Sequence, residues 1–175
     1  APAGGGRPAS KDLVRHDDGL GGSAQEEYGE EEGHPRDVRE EIAELVEAMD
    51  YDTAVYKAVE CGDVSVLIYA VVKIGVDNVN DSTLPFQQPT LLCLIQQLGT
   101  TIDRADHADF VPLKLDWLQL AILGLDPSHH QIAIHVPNVL RQVKHSLETL
   151  PPTVDTAQYS APVKILVHVI NSLLK

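Results

Sequence analysis

The sequence predicts an all-α protein, an irregular α-α superhelix of about seven helices arranged as HEAT/ARM-like hairpins, on three observations. Apolar residues return at helical spacing in one segment after another from Val38 to Leu174. No segment alternates apolar and polar residues over any length, so nothing proposes a sheet. The joins are short and rich in Gly, Pro, Asp and Asn, which makes consecutive helices antiparallel neighbours. No repeat of roughly 34 or 40 residues emerges, so the stack is irregular.

Two regions differ in composition. Residues 1–34 hold Gly4 to Gly6, Gly21-Gly22-Ser23 and the acidic run Glu26 to Glu32, with few aliphatic side chains. Such a segment cannot offset the entropy of ordering, and it reads as a disordered acidic, Gly-rich linker or tag-like tail. Residues 35–175 read as one helical protein-interaction domain.

The helices follow in order. Pro35 suits the N1 slot of the first, with Asp37 and Glu40 spaced as a capping pair. Val38, Ile42, Leu45, Val46 and Met49 share its inner face, and Arg39, Glu40, Glu41, Glu44 and Glu47 its outer one. A second helix runs from Asp52 to Cys61 with Tyr51, Val55, Ala58 and Val59 inward, and Ala54 and Ala58 let a neighbour approach closely. Gly62 supplies the C′ position and Asp63 caps the third helix, so this pair is an antiparallel hairpin.

The third helix, Asp63 to Gly75, is apolar almost all the way round, and a helix with no wet face must be enclosed. It is expected to be the axle of the fold. Residues 76–88 read as a loop anchored by Leu84 and Phe86. The fourth helix opens at Pro89, carries Leu91, Leu94, Ile95 and Leu98 as a stripe, and is expected to stop at Gly99.

Asp103, Asp106, His107 and Asp109 resemble a metal cluster in composition but lack the Gly and terminal Glu of a calcium loop, so they read as solvated loop carboxylates. The fifth helix, Phe110 to Leu125, has two apolar stripes: Leu115, Leu118, Ile122 and Leu125, and Leu113, Trp117, Leu120 and Gly124. It is either sandwiched between layers or offers one face to a partner. After Asp126-Pro127, Ser128 and Gln131 form an expected capping box. Ile132, Val136, Leu140, Val143, Leu147 and Leu150 keep helical phase across Pro137, which implies one kinked helix or two short ones. The last helix runs from about Asp155 or Ser160 to Leu174, with Val163, Leu166, Ile170 and Leu173 inward and Pro162 either in its first turn or kinking it.

The chemistry is more informative for what it disfavours. Thirteen Lys and Arg against 26 carboxylates, a net charge of −13, argue against direct binding to phosphate backbones. No apolar run approaches the roughly 18–20 residues that span a bilayer, and no signal-peptide core is present, so a soluble, intracellular protein is expected. Cys61 and Cys93 fall in apolar helical patterns and read as small buried thiols. Asn80-Asp81-Ser82 matches a glycosylation sequon by chance. No phosphate-binding glycine loop, zinc-protease motif or Cys-x-x-Cys pair occurs, and the eight histidines are scattered. His129 and His130 are placed at a helix start, and His145 and His168 on helix rims. The sequence thus points to no enzyme, cofactor or metal.

Surfaces remain. Arg141, Lys144 and His145 share the face of the sixth helix opposite its apolar stripe, a basic cluster in an acidic chain. It is either a solubilising face paired with Glu148 or a docking patch for an acidic or mixed peptide.

Three segments resemble a known family. Leu84 to Leu98, containing Pro-Thr-Leu-Leu-Cys-Leu-Ile-Gln-Gln-Leu, Leu113 to Asp126, and Val139 to Leu147 are similar to the C-terminal domain of the large enhancer-of-mRNA-decapping scaffold, the Varicose or Hedls family. The helices from Arg39 to Ile74 are similar in order and spacing. Leu120, where an acidic residue is expected, and Pro137 depart from the vertebrate pattern.

The resemblance implies a non-catalytic helical module at the end of a cytoplasmic scaffold. It implies recruitment of decapping proteins, the catalytic decapping subunit and its activators, and targeting to processing bodies. It supplies no catalytic residue. Candidate partner-binding residues are Arg141, Lys144 and Lys114, with Gln96, Gln97 and Trp117 beside them. A different reading is self-association through an apolar face at Leu113, Trp117 and Leu120.

Overall fold

The computed structural model of the chain describes residues 37–79, 84–150 and 156–175. The tail expected at 1–34, Pro35 and the sequon tripeptide lie outside the described residues. These form seven α-helices and two short 3-10 segments, with no strand among them.

Helix α1 (Val38–Glu47) opens on Asp37, whose carboxylate accepts from the Arg39 backbone N–H at 3.0 Å. Asp37 is therefore the N-cap, its half of the expected capping pair, and the helix starts at Val38. Its end departs from the reading of Met49 as an inner residue. Met49 is 76% exposed with φ 60°, and it occupies the left-handed position of a Schellman turn. The Met49 N–H donates to Val46 O at 3.0 Å and the Asp50 N–H to Leu45 O at 2.9 Å.

Helix α2 (Tyr51–Glu60) is capped by Asp50, which accepts from Thr53 N–H at 3.3 Å. Ala54 and Ala58 are fully buried, and with no bulk beyond Cβ they let α1, α3 and α4 close on α2. Gly62, φ 67°, makes the turn, and Asp63 caps helix α3 (Val64–Ile74) by accepting from Ser65 N–H at 2.8 Å. The hairpin is as the sequence predicts.

The axle is not. Helix α3 packs chiefly on α1 and α2, and its far side is open: Val72 is 52% exposed and Tyr69 half-buried. The central element is α4 (Gln88–Thr100), which lies against α2, α5 (Val111–Leu123) and α6 (Val136–Glu148) and buries Leu91, Leu92, Leu94, Ile95, Leu98 and Gly99. Gly99 does not end α4. It lies within it, where a Cβ would sit 2.6 Å from Val143 Cγ1 of α6. The glycine serves helix packing instead of helix termination.

Side chains at the start of α4 tie it to its neighbours. The Gln87 backbone N–H donates to Asp52 Oδ1 at 2.8 Å. Gln88 Nε2 donates to Gly124 O at 3.0 Å, while its Oε1 accepts from Asp126 N–H at 2.8 Å, so one amide closes the C-terminus of α5.

Helix α5 is sandwiched. Val111, Leu115, Trp117, Leu118, Ala121 and Ile122 are buried, and the Trp117 ring tilts against Phe86 at 6.2 Å. Trp117 is fully buried and Leu113 and Leu120 are half-buried, so the face read for self-association is not an exposed one at its centre.

Residues 128–135 form turns, so Ser128 and Gln131 cap no helix. Ser128 is held by Asp126, which accepts from both its N–H and its hydroxyl. Helix α6 begins at Val136 with Pro137 in its first turn, where a missing N–H costs nothing, so no kink forms. Consequently His129 and His130 stand in turns, their rings 4.6 Å apart. Helix α7 (Thr156–Leu173) contains Pro162 and covers α5 and α6 with Leu166 and Ile170. None of the described helices is long and apolar enough to cross a membrane.

Candidate functional site

Helix α6 is strongly two-sided. Val139, Leu140, Val143 and Leu147 are buried, and Arg141 and His145 are exposed on the opposite side. Lys144 is half-buried, with its Nζ 3.7 Å from Glu148 Oε1 one turn on. That pair is a loose surface contact. Arg141 makes no ion pair among the described residues.

The α4 glutamines do not join this row. Gln97 is turned toward α2, its Nε2 donating to Val59 O at 2.8 Å. Gln96 is exposed, and no hydrogen bond links it to Arg141 or Lys144.

Lys114 and Trp117, expected at the surface, are both fully buried. Trp117 goes inward with the second apolar stripe, and Lys114 lies between the buried Val111 and Leu118 one turn away on either side. Lys114 Nζ donates to Thr101 O at 2.6 Å, so the ammonium satisfies a carbonyl at the C-terminal end of α4, where a positive charge also meets the favourable end of the helix dipole. Burial, followed by the nearby Arg104 guanidinium, lowers its pKa to about 8. Neither residue can meet a partner.

Cys61 and Cys93 depart from expectation in the other direction: both are exposed free thiols. Each lies on an outward position of an otherwise inward pattern.

A second concave surface was not evident from the sequence. Arg39 of α1, Ser65, Ile68, Tyr69 and Val72 of α3, and Asp106, His107 and Phe110 of the 3-10 segment Ala105–Phe110 line an open groove of about 540 Å³. His107 is buried beneath it, with Nε2 3.5 Å from Ser65 Oγ. Asp106 is engaged by Arg104 through two hydrogen bonds, at 2.6 and 3.1 Å, which hold its carboxyl below the usual range. The acidic residues of 103–109 thus include one already spent on an arginine. A residue-by-residue signal did exist: Tyr69 and Val72 follow Ser65 at spacings that put them on one face of α3.

The comparisons with known proteins agree on one relationship. The family described as "Enhancer of mRNA-decapping protein 4, C-terminal" matches residues 42–166. The chain is 29% identical over 107 residues to Enhancer of mRNA-decapping protein 4 of Xenopus laevis, covering 61% of this chain and 7% of that protein. It thus spans only a small part of that relative's length. The crystal structure of the conserved C-terminal region of Ge-1 superimposes with a TM-score of 0.64 at 18% identity, over 77% of this chain and 97% of that one. At that identity the superposition speaks for the helical fold alone, and the family match carries the assignment. The chain belongs to the family of the C-terminal domain of enhancer of mRNA-decapping protein 4.

Proposed function

We propose that this domain is a non-catalytic scaffold module that recruits mRNA-decapping proteins. Its partners are the catalytic decapping subunit and its activators, and through them it takes its parent protein to cytoplasmic processing bodies. Family membership supports the decapping context. The observation that carries the mode of action is the row Arg141, Lys144 and His145: polar, outward, and backed by a fully packed helix face, with no carboxylate among the described residues claiming Arg141. In a chain of net charge −13 such a row favours an acidic or mixed segment of a partner and disfavours RNA. Gln96 borders on the same role as an exposed polar residue of α4.

The test is charge reversal at Arg141→Glu and Lys144→Glu together in the full-length protein. Loss of the decapping subunit from co-purified material and dispersal of cytoplasmic foci, with an unchanged melting curve, supports the reading. Unchanged recruitment removes the α6 row from it.

A further inference from the structure

The groove bounded by α1, α3 and the Ala105–Phe110 segment is unexplained by the α6 row. Its walls are apolar and open to solvent: Val72 is 52% and Phe110 39% exposed, and Ile68 lies at its base. Two partly bare apolar side chains from different elements meet beside a cavity whose size falls in the range of ligand pockets.

Its lining carries Arg39 and Asp106, and Lys73 stands at its edge beside Tyr69. The Arg39 guanidinium stands 5.7 Å from the centre of the Tyr69 ring and Lys73 Nζ 5.9 Å from it, so two cations bracket one aromatic at the groove's edge. Neither makes an ion pair among the described residues. The carboxylate in the lining, Asp106, is neutralised by its two bonds to Arg104. An open apolar trough edged by two cations that make no ion pair among the described residues, on a chain of net charge −13, suits an acidic occupant.

We propose that this groove is a second docking site, and that it takes a short partner segment carrying a branched aliphatic or aromatic side chain beside carboxylates. The apolar side chain lies against Ile68, Val72 and Phe110. The carboxylates meet Arg39 and Lys73. The cation pair selects the sign of the segment and the trough its apolar content. The proposal rests on the reading above only in supposing that a partner protein supplies the segment; it does not need the α6 row.

The test uses a fluorescent peptide, Gly-Glu-Asp-Leu-Phe-Glu-Asp-Gly, with one control in which every carboxylate is replaced by its amide and another in which Leu-Phe is replaced by Ser-Ser. Binding to the 175-residue chain is followed by anisotropy. The expected result is saturable binding of the first peptide, at least tenfold weaker binding of both controls, and weakening with added salt. Arg39→Glu and Val72→Asp, both at exposed positions, should each cost tenfold or more while leaving the melting curve in place. The Arg141→Glu, Lys144→Glu double variant should bind as the parent does. Equal binding of the amide control overturns the proposal. So does loss of binding in the α6 variant alone, an outcome that leaves the proposed function standing. Concentration-dependent dimerisation abolished by Val72→Asp, without peptide binding, overturns it in favour of a second copy of the chain.

Discussion

Gly99 of α4 and Val143 of α6 meet so closely that a Cβ on the glycine would lie 2.6 Å from both Val143 methyl carbons. Real Cβ contacts do not come this near, so either the helices separate or the valine moves. Gly99→Ala gains about 1 kcal/mol in helix propensity and loses about 1–3 to overpacking. A net destabilisation of about 0–2 kcal/mol is expected by urea unfolding. Gly99→Ala combined with Val143→Ala should cost less than the two single changes added together, because the second removes the methyls that the first strikes.

Met49 should behave in the opposite sense. It holds φ 60° while 76% exposed, so it carries the left-handed penalty without contributing much burial. Met49→Gly removes a cost of about 1–2 kcal/mol, partly offset by the greater freedom of glycine in the unfolded chain. The midpoint of unfolding should rise by the equivalent of about 0.5–1 kcal/mol. An unchanged or lowered midpoint would show that the Schellman turn is not what limits this helix end.

Lys114 predicts a pH dependence. Its pKa is lowered to about 8 in the folded protein from an ordinary 10.5, so between those values the unfolded chain binds more protons than the folded one. Stability contributed by this group is therefore absent below pH 8, rises through the interval and is complete above pH 10.5. The full difference is at most about 3 kcal/mol. Tyr56, whose pKa is raised chiefly by Glu60, acts in the opposite direction at alkaline pH. Comparison of the parent with Lys114→Met across pH 7 to 10 isolates the lysine: only the parent should show the upward component.

Trp117 and the α6 row separate folding from recognition. Trp117 is fully buried against Phe86, and its indole N–H has no hydrogen-bond partner among the described residues. Trp117→Ala should cost about 3–5 kcal/mol, while Trp117→Phe loses volume but no hydrogen bond and should cost less. Arg141→Glu with Lys144→Glu should change stability by no more than about 0.5 kcal/mol, since neither side chain is buried. Chemical denaturation of the three variants checks the order. A large loss in the α6 variant would make it unsuitable as a probe of binding.

The helices could be read from the chain because periodicity is a local property. The stripe of α4, the capped α2–α3 hairpin and the double-sided pattern of α5 each follow from residues within a few turns of one another. Candidate surface residues were harder to read. A stripe such as Lys114 and Trp117 looks the same in sequence whether it faces water or a neighbouring helix, and the choice of face depends on α4 and on Phe86, both distant along the chain.

The sequence by itself determined the helical class, the turn chemistry at Gly62 and Asp63, the two-sidedness of α6 and the resemblance to the decapping family. Only the tertiary structure decided that α4 is the centre, that Gly99 is a packing residue within its helix, that Pro137 begins α6, and that one side of α3 stays open above His107. Each of those depends on which helices approach each other and how closely. That is set by the summed packing of all the faces together, and no single segment encodes it.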